Sequence, residues 1–379
     1  ERLASLGARF AQNVLADERA WSMDLGADDL SGLPDFLRAA AAQAAKARGR
    51  TGWTITLSRS LIEPFLAFST RRDLREQAWR AWIARGETGG DTDNRAIIAE
   101  TLALRRERAR LLGYPSYAAY KLAPEMAETP QAVRDLLMQV WPPARALAAA
   151  EADKLRGLIR AEGANHDLAP WDWRFYAEKL RLAEHDLSEA AVKPYLALDR
   201  MIEAAFDTAQ RLFGLSFHPL ADAAAYHPDV RVWEVRRGDA HVGVFMGDYF
   251  NRASKRSGAW CSSFRTQEKL DGAVRPVVVN VMNFADGGDG PTLLTIDDAR
   301  TLFHEFGHAL HALLSDVTYP SISGTNVARD FVELPSQLFE HWLDTPEVLG
   351  RHARHVETGA PMPPDLIARL RGARAFNQG

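Results

Sequence analysis

The segment TLFHEFGHALH, Thr301 to His311, carries two histidines four residues apart, with a glutamate directly after the first. On an α-helix His304 and His308 lie one turn apart and project from one face, so their imidazoles can share a metal ion. Glu305 is rotated away from that pair, where it can reach a metal-bound water rather than the metal. Zinc lowers the pKa of such a water, and a neighbouring carboxylate can take the proton as the water attacks a carbonyl. H-E-x-x-H also arises by chance, so the surrounding residues have to decide what this one does.

A catalytic zinc commonly takes three protein ligands and keeps a fourth position for water. Leu314 stands where a metzincin places its third histidine, which excludes that branch. His311 shares a helical face with His308 but would have to bend back to join it, and reads as a structural or outer-layer histidine. A carboxylate from a second helix fits better. The stretch RDFVELPSQLFEHWL, Arg329 to Leu343, offers Glu333, and Pro335 confines Glu333 to the start of its helix. Asp330 and Glu340 compete with it; either could instead orient an imidazole or be a surface charge.

The elements that must position these residues are mostly helical. Apolar residues recur at helical spacing from Arg95 to Leu112, before Gly113 and Pro115. A second pattern runs from Pro130 to Ile159, with Thr129 as its cap and Pro142-Pro143 expected to break or kink it. A third is expected as one long helix from Ala191 to Phe213, stopped by Gly214. After Leu215 the texture changes. VRVWEV (Val230 to Val235) and HVGVFM (His241 to Met246) read as a hairpin across RRGDA, and RPVVVNVMNF (Arg275 to Phe284) as a third strand. A loop follows, ADGGDGP, Ala285 to Pro291. Helical signals then return, with Thr295 as cap and Asp297 and Asp298 in the first turn. The chain divides into a helical region, 1–214, and a catalytic region, 215–379, with a small sheet ahead of the metal helix.

Composition narrows the function classes. The 379 residues are 46% hydrophobic and 25% charged, an ordinary globular balance. With 46 basic against 50 acidic side chains there is no electrostatic case for a nucleic-acid or membrane-surface partner. No apolar run is long enough to span a bilayer. The single cysteine, Cys261, excludes an intrachain disulfide and a cysteine-rich zinc site, fits a reducing, cytoplasmic compartment, and reads as a buried small residue. The chain begins at Glu1 rather than Met, so the natural N-terminus and any targeting segment can lie upstream.

TLFHEFGHALH followed by SISGTNVARDFVELPSQLFEHW resembles the M3 family of zinc oligopeptidases, the thimet oligopeptidase-like enzymes, and within it the bacterial peptidyl-dipeptidases. The likeness extends to WDWRFYAEKL, YHPDVRVWEV and SGAWCSSF upstream and to ARHVETGAPMPPDL downstream, most of the chain. It implies that His304, His308 and Glu333 are the ligands of one zinc ion per chain and that Glu305 is the general base. It implies a mainly α, zincin-like fold, two helical lobes around a deep channel with a small β-sheet beside the metal helix. It further implies a monomer that hydrolyses short peptides, releasing dipeptides from free C-termini. An endo-oligopeptidase of the same family is the alternative, as is a zinc- or peptide-binding piece without turnover. Family members continue beyond the stretch matching ARAFNQG into a segment rich in glycine and tyrosine, so the resemblance implies a chain shortened at both ends.

Several residues are candidates for substrate contact. Gly258, Ala259 and Trp260 fall where the family has a strand beside the metal helix, and an extended peptide could add to that edge; Trp260 reads equally as core. Gly324 allows a tight loop between the two metal helices that could touch substrate. Arg329 could pair with a substrate carboxylate or form a structural ion pair. His227 reads as a turn residue that the resemblance places near the channel, and WDWRFYAE as a packed aromatic cluster.

Overall fold

In a computed structural model of the chain, residues 1–185, 188–252, 254–288 and 290–373 are described. Asp289 of the predicted loop and most of the ARAFNQG stretch lie outside them. The chain forms two compact units, Glu1–Glu184 and His185–Arg374. It is mainly helical with a small mixed sheet.

In the first unit the helices are α1 (Arg2–Ala20), α2 (Asp35–Ala47), α3 (Arg59–Phe68), α4 (Arg72–Ile83), α5 (Arg95–Leu111), α6 (Tyr117–Leu122), α7 (Pro130–Ala161) and α8 (Trp173–His185). Two short antiparallel strands, β1 (Ser22–Leu25) and β2 (Trp53–Thr56), join them. Leu37, Ile55, Ile62 and Phe65 are fully buried in the core between α2, β2 and α3. The expected interruption at Pro142-Pro143 does not occur: α7 runs through both prolines. Each proline removes one backbone donor, and the carbonyls left behind lie in an exposed stretch around Met138, where water can take that bond. WDWRFYAE is packed, as its composition suggested. Trp171 meets Trp79 edge-on at 5.7 Å, and Asp172, with no exposed surface, accepts from Arg75 at 2.9 Å and from Arg72 at 2.9 Å. Arg75 is itself 2% exposed and also donates to the carbonyls of Ser69 and Trp171.

The second unit holds the sheet and the remaining helices. Its sequence order is α9 (Glu189–Val192), α10 (Leu198–Phe213), β3 (Leu215–Pro219), β4 (Arg231–Arg237), β5 (Ala240–Phe250), β6 (Trp260–Arg265), β7 (Val277–Phe284), α11 (Ile296–Leu313), α12 (Glu333–Leu343), α13 (Pro346–His352) and α14 (Pro364–Gly372). The helix expected over 191–213 is split. Pro194 falls in a short 3-10 turn, Lys193–Tyr195, after which Ala197 bridges to Leu293 and α10 begins. Gly214 then ends α10 in the left-handed conformation, as read from sequence. The strands pair in the order β3-β4-β5-β7-β6. All pairs are antiparallel except β5 with β7, because β7 inserts between β5 and β6. That leaves β6 at the edge of the sheet.

Helix α11 packs against this sheet and is buried almost all round, with Leu302, Phe303, Phe306, Leu310 and Leu313 at 3% exposure or less. Phe306 sits among Phe206, Phe217 and Phe245, within a shell of ring centroids 5.2 to 5.5 Å away. Its N-terminus is closed by a capping box: Thr295 accepts from the Asp298 backbone and Asp298 from that of Thr295.

The buried Arg75–Asp172 pair gives a test of the first unit. Removing one partner strands a buried charge, so Asp172→Ala should cost about 3–5 kcal/mol in chemical denaturation, whereas Arg75→Met with Asp172→Leu should cost clearly less. Equal losses in the two variants would contradict this account.

Candidate metal centre

The site is built where α11 and α12 cross. Gly307 faces α12, and a Cβ there would lie 2.7 Å from Ser336 Cα and 2.9 Å from both Phe339 Cβ and the Pro335 carbonyl. No larger residue fits, so the glycine between the two histidines is what lets α12 approach. Glu333, the first residue of α12, then reaches across both imidazoles. Its Oε2 lies 3.1 Å from His304 Nε2 and 3.0 Å from His308 Nε2, and one donor atom from each of the three residues falls within 4.8 Å of the others. A tetrahedral site with bonds of about 2.0–2.1 Å separates its ligands by about 3.3 Å, so this donor set matches the size of a zinc site.

The surrounding groups orient the donors. Glu340 lies about two helical turns beyond Glu333, and its Oε2 sits 3.4 Å from His304 Nδ1, on the side of the ring away from the donor group. Glu340 therefore orients an imidazole, one of the roles the sequence left open for it. Ser336, fully buried, donates from its hydroxyl to Glu333 Oε2 at 2.9 Å. Burial raises the pKa of Glu333, but the Ser336 hydrogen bond and the nearby His308 and His304 outweigh it, so the carboxyl is held below its ordinary range. Burial pushes His308 down, towards the neutral form a metal ligand needs. The backbone of α11 is fixed to the sheet by Asn280 of β7, whose side-chain amide donates to the Glu305 carbonyl at 2.7 Å.

Two buried polar atoms of the site have no hydrogen-bond partner among the described residues, His308 Nδ1 and Glu305 Oε2. Glu305 is 6% exposed. Burial raises its pKa to about 7; His304 opposes the rise and Glu333 adds to it. A buried carboxylate oxygen with no partner, beside three converging donors, fits a water held by a metal. His311 stays outside the donor group; its ring packs edge-on near Phe331, and burial lowers its pKa. Asp330 is exposed in the turn before α12 and is not among the donors either. Cys261 is half-buried beside Asn280 in register; burial pushes its thiol well up and the charge of Glu305 adds to this, which disfavours the thiolate.

The candidate substrate residues lie on the same unit. Gly258 is exposed with φ of 93°, Ala259 is half-buried, and Trp260 opens the edge strand β6. The Trp260 ring packs with Val279 and Val281 on the face of the sheet away from α11, under the Arg256 guanidinium at 4.4 Å. The loop before it is tied down twice. Asn283 donates to the carbonyls of Arg256 and Gly258, and the buried Asp248 carboxylate receives Arg252, Lys255 and the Tyr226 hydroxyl. Gly324 lies in the connection between α11 and α12, with φ of 58° and its Cβ position 3.1 Å from Ala312 Cα. Arg329 is exposed further along that connection, and His227 lies in a turn before β4, its Nδ1 accepting from the Asp229 backbone. Gly307, Ser336 and Asn280 went unread in the sequence. A glycine inside a strongly helical pattern was the one available signal, since it marks a close approach.

Two imidazoles and a carboxylate converging beside a buried glutamate have the donor set and spacing of a candidate metal centre. The pattern of Peptidase family M3 matches residues 65–379, and the chain belongs to that family, a family of metallopeptidases. It is 43% identical over 383 residues to the dipeptidyl carboxypeptidase of Salmonella typhimurium and 41% identical over 381 to that of Escherichia coli; each alignment covers 99% of this chain and 56% of the relative. Oligopeptidase A of Escherichia coli is 35% identical over 385 residues, covering 99% of this chain and 57% of that protein. The chain thus spans a little over half the length of these relatives.

The crossing at Gly307 sets the first requirement for metal binding. Gly307→Ala should weaken metal affinity by about tenfold or more, the scale on which supporting groups act. Gly350→Ala, whose Cβ meets nothing within 4 Å, should leave it unchanged. Competition titration with a chromophoric chelator checks both; equal affinities in the two variants would contradict the role given to the crossing.

Proposed function

We propose that the protein to which this chain belongs is a zinc peptidase that releases dipeptides from the free C-termini of short peptides. His304, His308 and Glu333 hold one zinc ion, and Glu305 is the general base. The observation that carries this reading is the convergence of the three donor atoms beside the partnerless Oε2 of Glu305. When bound there, zinc supplies a water of lowered pKa and polarises the scissile carbonyl.

The chain's own residues do the rest. Glu305 takes the proton of the attacking water at Oε2 and returns it to the leaving amine, a task suited to a carboxyl whose pKa burial raises to about 7. Glu340 holds the His304 ring through Nδ1 and leaves Nε2 to face the metal. The substrate backbone lies along the open edge of β6, Trp260–Arg265, where main-chain hydrogen bonds bind a peptide whatever its sequence. Gly258, Ala259, Gly324 and Arg329 flank that path.

Likeness to two dipeptidyl carboxypeptidases supports the dipeptide-releasing reading, and likeness to oligopeptidase A supports an endopeptidase as the second. No helix among the described residues is long and apolar enough to cross a membrane. We place the protein in the cytoplasm, on the strength of the one cysteine in this chain, and take it as a monomer from its family resemblance.

Mass spectrometry of a blocked hexapeptide incubated with the zinc-loaded full-length protein tests the reading. Dipeptides should appear from the free acid and not from the C-terminal amide; cleavage of both would make the protein an endopeptidase. Glu305→Gln should keep its zinc and lose about 10²–10⁴-fold in kcat. Turnover retained in that variant would overturn the assignment of the base.

A further inference from the structure

Between the edge strand, the C-terminal part of α11 and the Gly324 connection lies a cavity of about 230 Å³. That is below the roughly 300–1,000 Å³ of pockets that hold whole small molecules, and suits one side chain. Its walls include Ser262, Ser263, Thr266, Gln267, Ala312 and Thr325, and no lining residue is charged. Among the described residues no hydrogen bond engages the hydroxyls of Ser263, Thr266 or Thr325.

The frame around this space is built. Gln267 is 3% exposed and pairs with Val317 as a strand would, its Nε2 donating to the Val317 carbonyl at 3.0 Å and its Oε1 accepting from the Val317 amide at 3.0 Å. Gly324 donates its amide to Ser315 Oγ at 2.6 Å and lies against Ala312, with a left-handed φ of 58° that favours glycine. These contacts fix the connection to α11 before any ligand arrives, and a preformed wall costs little ordering on binding.

The position of the cavity ties it to the donor group. Ala312 follows His308 by one helical turn, a rise of about 6 Å. An extended chain presents side chains to one face every two residues, about 6.4–6.8 Å. A peptide laid along β6 with its scissile carbonyl beside the donors therefore delivers a side chain to the cavity within two residues of that bond.

We infer that this cavity is a specificity pocket for an uncharged, hydrogen-bonding substrate side chain of the asparagine, glutamine, serine or threonine class. The inference rests on the peptidase reading and adds the substrate class to it. A cationic or anionic side chain would lose water there without gaining a countercharge, whereas an amide or hydroxyl finds hydroxyl groups that have no partner within the protein.

The test compares kcat/KM of the zinc-loaded full-length protein on blocked peptides that differ at one position at a time on either side of the cleaved bond. At one position within two residues of that bond, glutamine or asparagine should be preferred over lysine and aspartate by about tenfold or more. Thr325→Phe, an exposed position at the cavity mouth, should remove about tenfold from the glutamine peptide and change the glycine peptide by less than about twofold. A preference that survives Thr325→Phe, a parallel fall of both peptides, or no such preference at all would overturn the pocket and leave the peptidase standing. No cleavage of any peptide would overturn the peptidase reading and the pocket with it.

Discussion

Everything at the centre depends on how closely two helices can cross. The histidines belong to α11 and the third donor to α12, and the two backbones meet at Gly307, where even a methyl group would collide with Ser336, Phe339 and the Pro335 carbonyl. Pro335 sits in the first turn of α12, where its missing N–H costs nothing, and so Glu333 can be the residue at the helix start. From that start the Glu333 carboxylate lies over both imidazoles. Ser336 serves twice, as the small residue that receives the crossing and as the hydroxyl that steadies Glu333.

The second constraint is electrostatic. Helix α11 is buried on nearly every face from Leu302 to Leu313, and burying a glutamate and a histidine there is unfavourable unless something satisfies them. The surroundings divide the carboxyls into two kinds. Glu333, half-exposed and hydrogen-bonded by Ser336, is held below the ordinary carboxylate range, while Glu305, buried with an unpartnered Oε2, is raised to about 7. Burial raises one carboxyl, while a hydrogen bond and two imidazoles hold the other down against its burial. Glu340 adds the outer support, with Asn280 holding the helix backbone from the sheet side.

Much of this was legible in the sequence because its signals are local. The one-turn spacing of His304 and His308, the Thr295 cap, Gly214 at the end of α10 and the three strands rich in β-branched residues each depend on neighbours in the chain. Glu333 was legible because Pro335 fixes where its helix begins. The misreadings were of local signals overridden by their surroundings. Pro142-Pro143 sit in α7 where exposure supplies water to the freed carbonyls, and Pro194 splits the helix expected over 191–213 because the chain there bridges to Leu293. Non-local facts were the least accessible. Nothing in WCSSFR says that β7 will insert beside β5 and leave β6 at the edge, and nothing in EHW decides between Glu340 as ligand and as support.

X-ray absorption spectroscopy of the zinc-loaded protein tests the central claim most directly, because it counts the ligands of the ion itself. The account predicts a single shell of nitrogen and oxygen at about 2.0–2.1 Å, with the multiple-scattering signature of two imidazoles and no sulfur. A sulfur shell near 2.3 Å, a third imidazole, or a spectrum unchanged when Glu333 is replaced by Ala would contradict it.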